Sequence, residues 1–125
     1  MLVDTDVLIW NMRGNEKAAK LLARHSGFRL SAVSWMELMQ GARNKHEHKL
    51  LRQALRHWRA EIQPVNEAIS NRASFWIEEL SLSHGLRMAD ALIAATTWYL
   101  GQTLCTANDR HYRNIPDLEL EIFRP

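Results

Sequence analysis

The chain has 125 residues, 46% of them apolar and 24% charged, with five glycines and three prolines. That is enough for one domain with a real core and too little for two, and the composition excludes a disordered or collagen-like chain. A net charge of +2 and a pI near 9.0 are compatible with nucleic acid but fall far short of a histone-like tail. The single cysteine, Cys105, rules out an intrachain disulfide. No apolar run approaches the roughly 20 residues that span a bilayer, so no membrane association is expected. The opening residues lack the basic and long apolar segments of a signal peptide, which makes the cytoplasm the expected compartment.

A short apolar strand opens the chain and runs into Asp4 and Asp6, one residue apart, before a helix over Val7 to Met12. Asp4 falls where a buried strand emerges at its carboxyl end, the edge where open α/β sheets bind ligands. The plainer reading is that Asp4 or Asp6 caps the helix. Glu16 to His25 reads as a second helix with Ala19, Leu22 and Ala23 on one face, closed by Gly27. Phe28 to Ser31 reads as a strand. A third helix opens at Ser34 and runs to Gly41 or Asn44, with Ser34 and Glu37 spaced as a capping box. Lys45 to Arg59 makes a fourth helix, with Leu51, Leu55 and Trp58 inward. Ile62 to Val65 is a strand that Pro64 confines to an edge or end.

Asn66 to Leu82 is the longest helical pattern, gathering Ile69, Ala73, Trp76, Ile77 and Leu80, and His84-Gly85 ends it. Met88 to Leu100 is apolar nearly all round apart from Asp90, the mark of a central, buried helix. Asp90 either exploits the dipole in the first turn or points into a polar site. Thr103 to Thr106 is then a strand, 107–116 a loop, and Leu118 to Phe123 a last strand with Leu118, Leu120 and Ile122 alternating against acids. Strands separated by helices predict an α/β fold with a mostly parallel sheet, in one domain spanning 1–125.

Three groups of acids then lie just past strand ends: Asp4, Glu37, and the Asn108-Asp109 pair, with Asp90 in the buried helix as the fourth place. Converging above one sheet edge, such carboxylates repel and raise one another's pKa values unless a divalent cation neutralises them. Magnesium (Mg2+) or manganese (Mn2+) suits all-oxygen ligands, and metal-activated water attacking a phosphodiester is the corresponding chemistry.

Four motifs in order carry a family resemblance: Leu2-Val3-Asp4-Thr5-Asp6-Val7-Leu8-Ile9; Ser31-Ala32-Val33-Ser34-Trp35-Met36-Glu37-Leu38 followed by Gly41; Asp90-Ala91-Leu92-Ile93-Ala94-Ala95; and Thr106-Ala107-Asn108-Asp109 followed by Tyr112. Over essentially its whole length the chain resembles the PIN-domain ribonucleases, and among them the VapC toxins of bacterial toxin–antitoxin pairs. The resemblance implies a PIN-like fold with a five-stranded parallel sheet flanked by helices. It implies a divalent-metal endoribonuclease site of Asp4, Glu37 and Asp90, a homodimer, an RNA substrate, and inhibition by a small cognate antitoxin. Two departures stand out. Asp6 occupies a position where the family often has Asn or Ser, which adds negative charge and offers a further ligand or a shift in metal preference, and His111 precedes Tyr112 where an acid is frequent. Asp109 is therefore the expected fourth ligand, with Asn108 as a neutral oxygen ligand or orienting group and His111 as a phosphate contact. Thr5 and Thr106 are expected to hold the carboxylates by hydrogen bonds.

Other features have plainer readings. Lys45, Lys49, Arg52, Arg56 and Arg59 form a basic stripe on the fourth helix, suited to RNA or an acidic partner segment and equally to plain solvation. Trp58 and Trp76 fall on inward faces and read as core, as does Cys105. Trp10 and Trp35 read as core or interface. Two readings stand beside the ribonuclease: a non-catalytic RNA- or partner-binding module, and a metal nuclease acting on DNA.

Overall fold

In the computed structural model, which covers residues 1–125, the strands are β1 (Leu2–Val3), β2 (Arg29–Ser31), β3 (Glu61–Gln63), β4 (Leu104–Thr106) and β5 (Leu120–Ile122). They form one sheet in the order β3-β2-β1-β4-β5, with every pair parallel. Parallel strands need crossover helices, and the chain supplies α1 (Thr5–Met12) and α2 (Glu16–Arg24), α3 (Ala32–Gly41) and α4 (Lys45–His57), then α5 (Glu67–His84) and α6 (Met88–Leu100).

Alternation along the two central strands divides the core. Val3 and Cys105 are buried with Val7, Leu8, Leu22, Leu38 and Leu51 from the first four helices and Leu30 from β2. Leu2 and Leu104 are fully buried on the other face with Ile69, Trp76, Ile93 and Ala94 from the last two helices. Neighbouring strand residues point to opposite faces, so a two-residue strand buried on both sides must be apolar at both positions. Each such side chain contributes about 1.5–3 kcal/mol.

The strand order also locates a crevice. From β1 the chain builds outward through β2 to β3, then returns to lay β4 and β5 on the other side of β1. Connections leave in opposite directions at β1 and β4, which opens a cleft beyond their carboxyl ends. Asp4 follows β1, and Thr106 ends β4.

Several boundaries differ from those read off the sequence. Helix α1 begins at Thr5 rather than Val7, because the Asp4 side chain accepts from the Thr5 N–H and starts the helix earlier. Ser31, not Ser34, caps α3, accepting from Val33 N. The Ser34–Glu37 spacing is thus a helix interior and not a capping box, and Ser34 is fully buried. On α2 the buried residues are Ala18, Leu21 and Leu22, whereas Ala19 and Ala23 are exposed. Arg59 lies past the end of α4 with φ of 53°, so the basic stripe ends at Arg56. Alternation also fails at the end of β5: Ile122 is 48% exposed and Phe123 is buried, as suits an outermost strand. Of the five tryptophans, Trp10, Trp35, Trp58 and Trp76 pack against the two cores, and Trp98 is exposed.

Candidate active site

Asp4 is both the cap and the centre of the crevice. Its Oδ1 accepts from Thr5 N at 2.8 Å, while Oδ2 accepts from Thr106 Oγ1 at 2.8 Å and from the Tyr112 hydroxyl at 2.9 Å. The residue is 5% exposed. Burial penalises its charged form, and the Asp6 carboxylate adds repulsion. Against these the three donors pull the other way, and the pKa is still pushed up to about 7.

Asp6 sits in the first turn of α1. Its Oδ2 accepts from Ala107 N at 3.0 Å and lies 3.5 Å from Thr106 Oγ1. Its Oδ1 is buried with no partner, and burial raises its pKa, against several hydrogen bonds. An orphaned carboxylate oxygen costs about 1–3 kcal/mol or more. The chain tolerates that cost beside a second buried acid.

Asp90 enters from the opposite helical layer, in the first turn of α6. Its Oδ1 is 3.4 Å from the Tyr112 hydroxyl, and its Oδ2 is 3.4 Å from His111 Nδ1. Burial raises its pKa, opposed by His111, Tyr112 and Arg87. Glu37, in the middle of α3, reaches the cluster through Thr5, whose hydroxyl donates to Glu37 Oε1 at 2.7 Å and lies 2.9 Å from Ser34 Oγ. Thr5 therefore ties Asp4, by its backbone, to Glu37, by its side chain.

The last motif divides. His111 joins the network through Asp90, and the Asn108 N–H donates to Thr106 Oγ1 at 3.0 Å, though the Asn108 side chain makes no hydrogen bond. Asp109 does not join. It is bound by Arg124 at 3.1 Å and faces Arg113 at 4.0 Å, and the Arg124 hydrogen bond holds its pKa below the usual carboxylate value. The fourth acid in the network is Asp6. Lys45, Lys49, Arg52 and Arg56 are exposed on α4, and Arg59 beyond it is exposed too.

Sequence reasoning missed two members. Tyr112 was legible only as the end of a motif, yet its hydroxyl joins Asp4 to Asp90; a buried phenol must find a polar partner, and that rule was the available signal. Ser34 looked like a cap and instead supports Thr5.

No three His, Cys, Asp or Glu side chains are gathered closely enough to enclose an ion. The donor set is nevertheless all oxygen, with one oxygen unpartnered, which matches magnesium: that ion takes one or two carboxylates and keeps several waters.

A family model described as PIN domain matches residues 1–118. The chain belongs to the PIN-domain family. Among solved structures this PIN domain is similar to a chain of a toxin–antitoxin complex from Klebsiella pneumoniae, at 29% identity, covering 94% of this chain and 93% of that one, with a TM-score of 0.79. It shares its fold with VapBC2 from Rickettsia felis bound to a DNA fragment from their promoter, at 20% identity, 98% coverage of both chains and a TM-score of 0.78. FitAcB from Neisseria gonorrhoeae has the same fold, at 24% identity, 95% and 94% coverage and a TM-score of 0.71. No curated protein sequence matches. No helix is long and apolar enough to cross a membrane.

Proposed function

We propose that this PIN domain is a divalent-metal-dependent endoribonuclease and the toxin of a toxin–antitoxin pair. The observation that carries the reading is Asp4: it is buried, held by three donors, and still has its pKa raised to about 7, beside an Asp6 oxygen with no partner. A buried carboxylate kept for structure alone would have a cation or enough donors to offset its burial, and Asp4 has no cation beside it.

Asp4, Glu37 and Asp90 would hold the ion, Mg2+ or Mn2+, with Asp6 in the fourth place that the sequence suggested for Asp109. Bound there, the ion supplies an activated water at neutral pH and charge stabilisation at the leaving oxygen. Thr5, Thr106 and Tyr112 aim the carboxylates, and His111 steadies Asp90. The toxin assignment is supported by the likeness to a chain of a toxin–antitoxin complex. An apolar groove lined by Ile9, Met12, Leu38, Leu50 and Ala54 runs up to Glu37, and a cognate antitoxin segment lying in it would reach the acids. Self-association as a homodimer belongs to the same reading, and light scattering that finds only monomer at high concentration counts against it.

The test is incubation of purified protein with a mixed RNA pool and with matched DNA, with chelator, magnesium or manganese. Metal-dependent cleavage of RNA is expected, with loss of at least a hundredfold in Asp4→Asn, Glu37→Gln and Asp90→Asn. Asp90→Asn cutting at the wild-type rate would remove it from the site. Cleavage of DNA alone would transfer the activity to the other substrate. Tight RNA binding with no cleavage under any metal would leave a binding module.

A further inference from the structure

Beside Asp90, on the side away from Asp4's helix, lies a cavity of about 130 Å³ whose polar wall is His84, Arg87, Arg110, His111 and Asn114, over a floor that includes Leu86 and Ile115. The wall comes from two segments. Gly85, at φ of 69°, ends α5 and turns the chain so that Arg87 can begin α6, while the turn after Asn108 brings in Arg110, His111 and Asn114. Asp90 belongs to both the cavity and the acid site.

The donors of this wall face solvent and are open to a ligand: Arg87, Arg110 and Asn114 are all exposed. Arginines that serve the fold at this end of the molecule are paired, Arg113 and Arg124 both on Asp109. Arg87 and Arg110 form no ion pair, and the side chains of Arg87, Arg110 and Asn114 make no hydrogen bond within the chain. Two guanidinium groups with an amide and imidazoles beside them recognise a tetrahedral oxyanion. The N-terminus of α6 has no side-chain cap and adds its positive end to the wall, against the Asp90 carboxylate in its first turn. At about 130 Å³ the hollow has room for a phosphate group together with water.

We propose that this cavity is a phosphate subsite: it takes the RNA backbone phosphate next to the one cleaved, and so helps to decide where the strand is cut. The proposal rests on reading the acid site as a nuclease centre, because sharing Asp90 is what makes the bound phosphate a neighbour of the scissile one. A contact made equally in ground and transition states lowers KM and leaves kcat alone.

Two experiments test it. In the first, inorganic phosphate is titrated into the protein in chelator while the arginine Nε–H resonances are followed. Saturable shifts are expected at Arg87 and Arg110, lost in the Arg87→Gln/Arg110→Gln double variant and retained in Asp4→Asn. Absence of saturation, or equal shifts at the distant Arg24, would overturn the subsite. In the second, single backbone phosphates of a short oligoribonucleotide are replaced by neutral methylphosphonate. One position beside the cut should raise wild-type KM about tenfold, the worth of one charge-assisted hydrogen bond, with kcat unchanged, and the double variant should be insensitive there. A double variant as sensitive as wild type at every position would also overturn it. Should the wild type cut no RNA, the nuclease reading falls, and the phosphate titration decides the cavity by itself.

Discussion

Tyr112 has one hydroxyl proton and two carboxylate neighbours, Asp4 Oδ2 at 2.9 Å and Asp90 Oδ1 at 3.4 Å. The shorter contact receives the proton. Burial and the two acids drive the phenol's own pKa far upward, so it stays a donor across the usable pH range. Removing it in Tyr112→Phe leaves the ring in the core and takes one donor from Asp4, whose pKa should rise further, since that bond favours the charged form. Ion binding requires the deprotonated carboxylate. The magnesium concentration for half-maximal cleavage should therefore rise about tenfold at pH 7, with little change in melting temperature, and the deficit should shrink at pH 9. A deficit independent of pH would assign Tyr112 to packing alone. At this scale the sequence spoke unevenly. Asp4 and Asp90 were legible because acids interrupt apolar segments there; the Tyr112–Asp4 bond joins residues 108 positions apart, and nothing local announces it.

Among the elements, α6 was read to the residue because an all-apolar helix with a glycine stop has few alternatives. Helix α3 was misplaced because Ser31 and Ser34 both satisfy the local chemistry of a cap. Burial decided between them, since Ser34 lies beside the Thr5 hydroxyl of α1, a partner that only the packed structure supplies. The fourth helix begins at Lys45 as its pattern predicts but ends at His57, and its stripe loses Arg59, which the left-handed turn after Trp58 carries off the helix. Lys49, Arg52 and Arg56 remain, exposed and in no ion pair. If they track an RNA backbone, Lys49→Glu/Arg52→Glu/Arg56→Glu should weaken binding and flatten the dependence of log K on log salt by about 0.7 per lost contact with a single strand. Filter binding from low to physiological salt checks it, and an unchanged slope would leave the stripe as a solvated face.

For the molecule as a whole, the acid site is a load on folding that an ion can lift. Asp4 has an ordinary value of 3.8 and is raised to about 7 in the fold, first by burial and then by Asp6. The native state therefore binds a proton that the unfolded chain has released between those values, and stability falls as pH rises through that window. Below the lower value both states are protonated and the load is absent; above the upper it is complete, at about 1.4 kcal/mol for each unit of displacement. Asp6→Asn removes the repelling neighbour at nearly constant shape. In chelator at pH 8 it should melt higher than wild type, by about 4 °C for each kcal/mol relieved in a domain of this size, and the two proteins should converge toward pH 3. Magnesium should act in the opposite sense. Binding to the native state stabilises by mass action, roughly 2.7 kcal/mol at a hundred times Kd, and a variant that has lost one acid of the site should gain less. Melting curves of both proteins, in chelator and in excess magnesium, at pH 4 and pH 8, read the two effects together. An Asp6→Asn protein that melts lower than wild type in chelator at pH 8, yet gains as much from magnesium, would make Asp6 a structural acid held by the Ala107 N–H and leave Asp4, Glu37 and Asp90 to hold the ion alone.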